Sequence, residues 1–131
     1  GYGKVFVAED REVRGRQVAI KKVVVFDEDK KAAFLKEVSI MKELDHPNIC
    51  KLLETYEQGR FMFFVMEYCE GKEVFDRIMD RGMIAEHTTA DIVRQVTSAL
   101  RYAHTRNIAH RDMKPENICF CSKDVTNNHV K

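Results

Sequence analysis

Eight consecutive residues carry most of the chemical information in this chain: His110-Arg111-Asp112-Met113-Lys114-Pro115-Glu116-Asn117. Asp112 offers a carboxylate that can orient an attacking hydroxyl. Lys114, two residues on, can reach a phosphate in transfer. Asn117 offers a neutral amide oxygen to magnesium, which suits a site already crowded with carboxylates and polyphosphate. These parts suit phosphoryl transfer, which asks for positioning and charge dispersal and little covalent help. A fixed pattern of this length arises by chance in such a chain on the order of one time in ten million. His110 reads as a structural residue. Arg111 reads as a cation awaiting an anion on a segment outside this sequence.

Three weaker signals lie upstream. In Val18-Ala19-Ile20-Lys21, alternation on a strand puts Ala19 and Lys21 on one face. A small residue beside a cation leaves room for a flat ring and offers a charge to phosphate. Lys22 could do the same chemistry but points to the other face. Gly3-x-Val5 precedes this strand, and a residue without a side chain lets backbone amides approach phosphate oxygens. Glu37 is expected on the buried side of a helix near Val38 and Met41. A carboxylate there needs a cation, and Lys21 is the natural partner.

These residues need elements to hold them. The Val-rich stretch from Val5 to Val25 reads as two strands, joined by a turn at Arg11 to Arg16 with Gly15. A helix is predicted over about Asp29 to Leu44, with Phe34, Val38, Met41 and Leu44 as its apolar stripe. Pro47 stops it. Strands are predicted at Lys51–Glu57 and Phe61–Tyr68 with a turn at Gln58-Gly59. The apolar run 61–66 suggests burial on both faces. Helices are predicted at Glu73–Arg81 and about Glu86–Thr105. The second has a stripe of Ile92, Val96, Ala99 and Ala103, and a capping box from Thr88 and Asp91. A short strand at Ile118–Cys121, with Cys119 and Cys121 on one face, leads into a polar turn at Asn127-Asn128. The change from strand-rich to helix-rich patterning near residue 69 marks a lobe boundary.

Composition narrows the function classes. The chain has 131 residues, 44% hydrophobic and 33% charged, which describes a soluble globular domain or part of one and not a disordered segment. Lys and Arg number 22 against 21 Asp and Glu, a net +1, so there is no reason to expect nucleic-acid or membrane-surface binding. No apolar run approaches the roughly 18 residues of a membrane span. No signal peptide and no initiator Met open the sequence. Cys50, Cys69, Cys119 and Cys121 show neither disulfide-framework nor zinc spacing, and read as intracellular thiols.

Taken together, the residues resemble the eukaryotic protein kinase family over nearly the whole chain. The resemblance implies a truncated α+β bilobal fold, with an N-lobe over 1–68 and a partial C-lobe over 69–131. The N-lobe would lack its first strand and the early glycines of the Gly-rich loop, with Gly1 at a variable position. It implies ATP and magnesium as cofactors and a Ser/Thr-bearing protein as substrate. Gly3 and Val5 would belong to the Gly-rich loop. Lys21 would be the ATP-phosphate lysine, with Glu37 its helix partner. Met66 would be the gatekeeper, Glu67, Tyr68 and Cys69 the adenine-holding hinge, and Glu73 the acid near ribose and peptide. Val5, Ala19 and Cys119 would sandwich adenine. Asp112 and Lys114 would be catalytic and Asn117 a metal ligand. Lys114 followed by Pro-Glu favours the serine/threonine branch. Leu44 to Cys50, Phe75 to Ile78 and Arg94 to Val96 resemble the calcium/calmodulin-dependent group, above all the calcium-dependent kinases of plants and protists. No EF-hand loop is present, so a calcium-sensor module would lie outside this chain.

The sequence departs from that pattern at Lys72, where Gly is common, at Cys119, where a larger aliphatic is usual, and at Met113 in place of Leu. The family's Asp-Phe-Gly segment would follow at about Lys131. These 131 residues alone are therefore expected to be inactive. An intracellular, cytoplasmic setting is expected. The alternative is a pseudokinase or scaffold that binds nucleotide or a partner without catalysis.

Overall fold

A computed structural model describes residues 3–131, apart from the side chain of Arg81. Gly1, and with it the variable position of the Gly-rich loop, lies outside the described residues. The chain forms two compact units, one of residues up to Asp45 with Cys50–Tyr68, the other of His46–Ile49 with Cys69–Lys131.

The first unit is a four-stranded antiparallel sheet, with strands β1 (Lys4–Glu9), β2 (Gln17–Val24), β3 (Leu52–Gln58) and β4 (Phe61–Glu67) in the order β1-β2-β4-β3. The β1–β2 turn is closed by Asp10, whose Oδ1 accepts the amides of Glu12 at 2.8 Å and Val13 at 3.1 Å while Oδ2 pairs with Arg16. These bonds hold the Asp10 carboxyl below its usual range, the Glu12 amide contributing most. Helix α1 (Glu28–Glu43) begins at Asp27, whose side chain accepts the Lys30 amide at 2.7 Å. Its stripe of Phe34, Val38 and Met41 meets Val23, Leu52, Met62 and Phe64 from the sheet, forming this unit's core. In β4, Met62 and Phe64 are buried and the alternate residues half-buried, close to the two-sided burial expected.

The second unit contains α2 (Val74–Arg81), α3 (Glu86–His104) and a single 3-10 turn at Pro115–Asn117. Its core gathers Val74, Ile92, Phe120 and Val130, with Ile78, Val96 and Ile118 packed against it. Buried Gln95 ties α3 to two separate segments. Its Oε1 accepts from Asn48 Nδ2 at 2.8 Å and the Val130 amide at 3.1 Å, and its Nε2 donates to the Asn128 carbonyl at 2.8 Å. A buried amide with every group engaged fixes one arrangement of its neighbours.

Two local expectations are corrected. Helix α3 starts one turn before the expected Thr88–Asp91 box, with Ala85 at the cap and no side-chain cap bond. Residues 118–121 form isolated bridges, Glu73 to Cys119 and Phe120 to Val130, and not a continuous strand. The partner segments are too short to extend a ladder. Among the described residues no helix is long and apolar enough to cross a membrane.

Candidate active site

In the first unit, strand register assembles the candidate nucleotide face. Val5 pairs with Lys21, Val7 with Ala19, and Ala19 with Met66 across the sheet. Cross-strand partners point to the same face. The face is open at β1, where Val5 is 61% and Val7 50% exposed, while Ala19, Lys21 and Met66 are half-buried. Gly3 closes in on this group: a Cβ there would lie 2.7 Å from the Lys22 carbonyl oxygen and 3.6 Å from Lys21 Cε. Only glycine leaves that space open beside the lysine stem. An apolar floor with one cation beside a side-chain-free backbone suits a flat ring carrying phosphates. Val7 was missed in the sequence, although alternation from Val5 marks it.

Glu67 ends β4 with both backbone groups in use, its amide donating to the Lys51 carbonyl at 3.0 Å and its carbonyl accepting from Cys50 Sγ at 3.5 Å. Glu37 differs from expectation. It is exposed, and among the described residues no ion pair joins it to Lys21. Phe34, Val38 and Met41 take the inward stripe, and the residue before Val38 is turned roughly 100° from it.

In the second unit the loop of residues 110–117 forms a side-chain cluster. Asn117 Nδ2 donates to the Asp112 carbonyl at 2.8 Å and to Asp112 Oδ2 at 3.0 Å. Lys114 Nζ lies 3.3 Å from Asp112 Oδ2. Donation by Nδ2 turns the Asn117 carbonyl oxygen away from Asp112, where it can serve as a ligand. The Asn117 bond, then Lys114, lowers the Asp112 pKa, with a further contribution from the charge of His110. Asp112 is thus ionised at neutral pH. His110 Nδ1 accepts the Asp112 amide at 3.3 Å, a structural role as expected. Arg111 holds a left-handed backbone at φ 65°, which costs about 1–2 kcal/mol for a residue with a Cβ.

The segment 69–74 lies beside residues 118–121. Glu73 bridges Cys119, and the Val74 amide donates to the Ile118 carbonyl at 2.8 Å. Cys69, Glu73 and Cys119 are half-buried. Burial, followed by the nearby Cys69, Glu73 and Asp76, pushes the Cys119 thiol up to about 11. Lys72 also adopts a left-handed backbone, at φ 67°, where the family's usual glycine would sit without strain. Among the described residues no group of three or more His, Cys, Asp or Glu could hold a metal ion.

Comparisons with known proteins bear on the family and the fold. Residues 1–131 match the protein kinase domain. Calcium-dependent protein kinase 3 of Plasmodium yoelii yoelii is 43% identical over 124 residues, covering 95% of this chain and 23% of that protein. Calcium/calmodulin-dependent protein kinase type 1 of Macrobrachium nipponense is 38% identical over 129 residues, covering 94% of this chain and 36% of that protein. The crystal structure of Rad53 1-466 in complex with AMP-PNP superposes with a TM-score of 0.87 and 29% identity, covering all of this chain and 34% of the other. The chain thus spans between about a quarter and just over a third of these relatives' length. With the domain match running from end to end, the chain belongs to the protein kinase domain family, with relatives in the calcium- and calmodulin-dependent serine/threonine group.

Proposed function

We propose that this protein transfers the γ-phosphoryl group of ATP to serine or threonine hydroxyls of protein substrates. The observation that carries the reading is the cluster of Asp112, Lys114 and Asn117, joined by bonds of 2.8 to 3.3 Å. Asp112, ionised and exposed, accepts the hydrogen bond of the incoming hydroxyl and aims its oxygen. Lys114, already at the same carboxylate oxygen, disperses charge on the phosphoryl group. Lys21 pairs with ATP phosphates, and on the first unit Val5, Ala19 and Met66 face the adenine ring, with Glu67 along its edge. Glu73 faces ribose or peptide. The Asn117 carbonyl oxygen would hold magnesium, which neutralises phosphate charge when bound.

The names of the relatives support a calcium-responsive module elsewhere in the full protein. The 1–68 and 69–131 segments are read as N-lobe and partial C-lobe. One observation favours the rival reading of a nucleotide-binding scaffold: Glu37 is exposed and does not pair with Lys21. The test is transfer of labelled γ-phosphate by the full-length protein to mixed serine, threonine and tyrosine peptides. Label on serine or threonine that requires magnesium supports the proposal. Nucleotide binding without transfer would replace it with the scaffold. Residues 1–131 alone are expected to transfer nothing.

A further inference from the structure

Helix α1 covers one face of the four-stranded sheet, packing on Val23, Met62 and Phe64. Among the described residues no helix of this unit covers the opposite face. Register defines what stands there. Lys4 pairs with Lys22, Lys22 with Phe63, Phe63 with Tyr56, and Val24 with Phe61. Cross-strand partners share a face. Phe6, two residues from Lys4 on the same strand, joins them. Three of the apolar members are open: Phe6 is 49%, Val24 37% and Tyr56 56% exposed.

The cations of this face are gathered in one place. Lys22 Nζ lies 3.8 Å from the centroid of the Phe61 ring and 5.6 Å from that of Phe63. The guanidinium carbon of Arg60 lies 5.5 Å from the same Phe61 ring. Lys4 stands directly across from Lys22 on the neighbouring strand. Like charges so placed repel each other and lower stability. Among the described residues no carboxylate forms an ion pair with Lys4, Lys22 or Arg60. Glu54, on the same face, instead accepts the Tyr56 hydroxyl. Three cations without a counter-charge thus lie beside exposed apolar side chains, in a chain whose net charge is only +1.

We propose that this face docks a peptide segment of another protein that combines acidic with apolar residues. Its carboxylates meet Lys4, Lys22 and Arg60, and its apolar side chains cover Phe6, Val24 and Tyr56. The ammonium of Lys22 is already held over two rings, so little freedom is lost when a carboxylate arrives. The same contact takes up the Phe61 and Phe63 rings, which argues against stacking of nucleic-acid bases there. The near-zero net charge argues against an anionic membrane. The proposal does not rest on the nucleotide reading, whose Ala19 and Lys21 alternate with Lys22 and point to the other face.

The test measures fluorescence anisotropy of a labelled peptide of alternating Glu and Leu, added to the full-length protein. Without a hydroxyl this peptide is no phosphoryl acceptor. It should bind, and added salt should weaken the binding. Lys4→Gln and Arg60→Gln should each weaken it about fivefold, as for one exposed ion pair. Lys4→Glu gives Lys22 an internal partner, so it should weaken binding further while raising the unfolding midpoint. Reversing both Lys4 and Lys22 to Glu should move preference to a peptide of alternating Lys and Leu. Four results would overturn the proposal: no binding, equal binding by Lys4→Gln and Arg60→Gln, tighter binding of oligo-dT or phosphatidylserine vesicles than of the peptide, or a lowered midpoint in Lys4→Glu.

Discussion

The two units position their chemistry by different means. In the sheet unit, Val5, Ala19, Lys21 and Met66 are aligned by backbone register, and their side chains make few specific bonds to one another. In the helical unit, Asp112, Lys114 and Asn117 sit on an exposed loop and are held by their own mutual contacts. A ladder tolerates a changed side chain, because the backbone keeps its place. A side-chain cluster does not, because each member orients the others. The sheet face should therefore degrade in proportion to the group removed, and the loop should fail as a unit.

The largest effect that can break this contrast, short of Asp112, lies in the second core. Phe120→Ala empties a fully buried site beneath the Cys119 ribbon and should cost about 3–5 kcal/mol, read by denaturant unfolding. A loss below about 1 kcal/mol would mean that the packing under this ribbon is not as described. Lys21→Met, by contrast, should leave folding nearly intact and lower kcat/KM for ATP by about 10²–10³-fold, as expected for one lost charge contact. A comparable fall in unfolding stability would show that Lys21 is structural.

A chemical prediction sharpens the same comparison. With its thiol pushed up to about 11, Cys119 carries about 100-fold less thiolate at pH 8 than an unperturbed cysteine. Its alkylation should be slow there and quicken tenfold per pH unit. Rapid labelling of Cys119 at pH 8 would contradict its burial. Gly71→Ala should lower stability by about 1–3 kcal/mol, because the added Cβ meets backbone and not a flexible side-chain end. Glu37→Gln is the smallest, within about 0.5 kcal/mol in the nucleotide-free protein, since Glu37 is exposed and without an ion pair to Lys21. A larger loss would restore the buried setting that its neighbours suggested.

The parts legible in the sequence are those where chemistry or periodicity restricts residue type. The loop at 110–117 was readable because its run of residue types is highly specific, and the fold brings Asp112, Lys114 and Asn117 into contact there. The stripe of α1 was readable because Phe34, Val38 and Met41 repeat at the helical period. Glu37 was misjudged because adjacency in sequence to Val38 was taken for adjacency in space. The Thr88–Asp91 box is a local pattern that lost to packing of α3 one turn earlier. Gly71 could not be read as a close-approach glycine, because its constraint comes from Phe120 and Ser122, about fifty residues away.

The central claim is that Asp112 is the residue around which transfer is organised. Its most direct test is Asp112→Asn in the full-length protein, with phosphoryl transfer and nucleotide binding measured on the same preparation. The account predicts that kcat falls about 10²–10⁴-fold while nucleotide affinity is nearly unchanged. Transfer at the unaltered rate, or loss of nucleotide binding in step with activity, would contradict it.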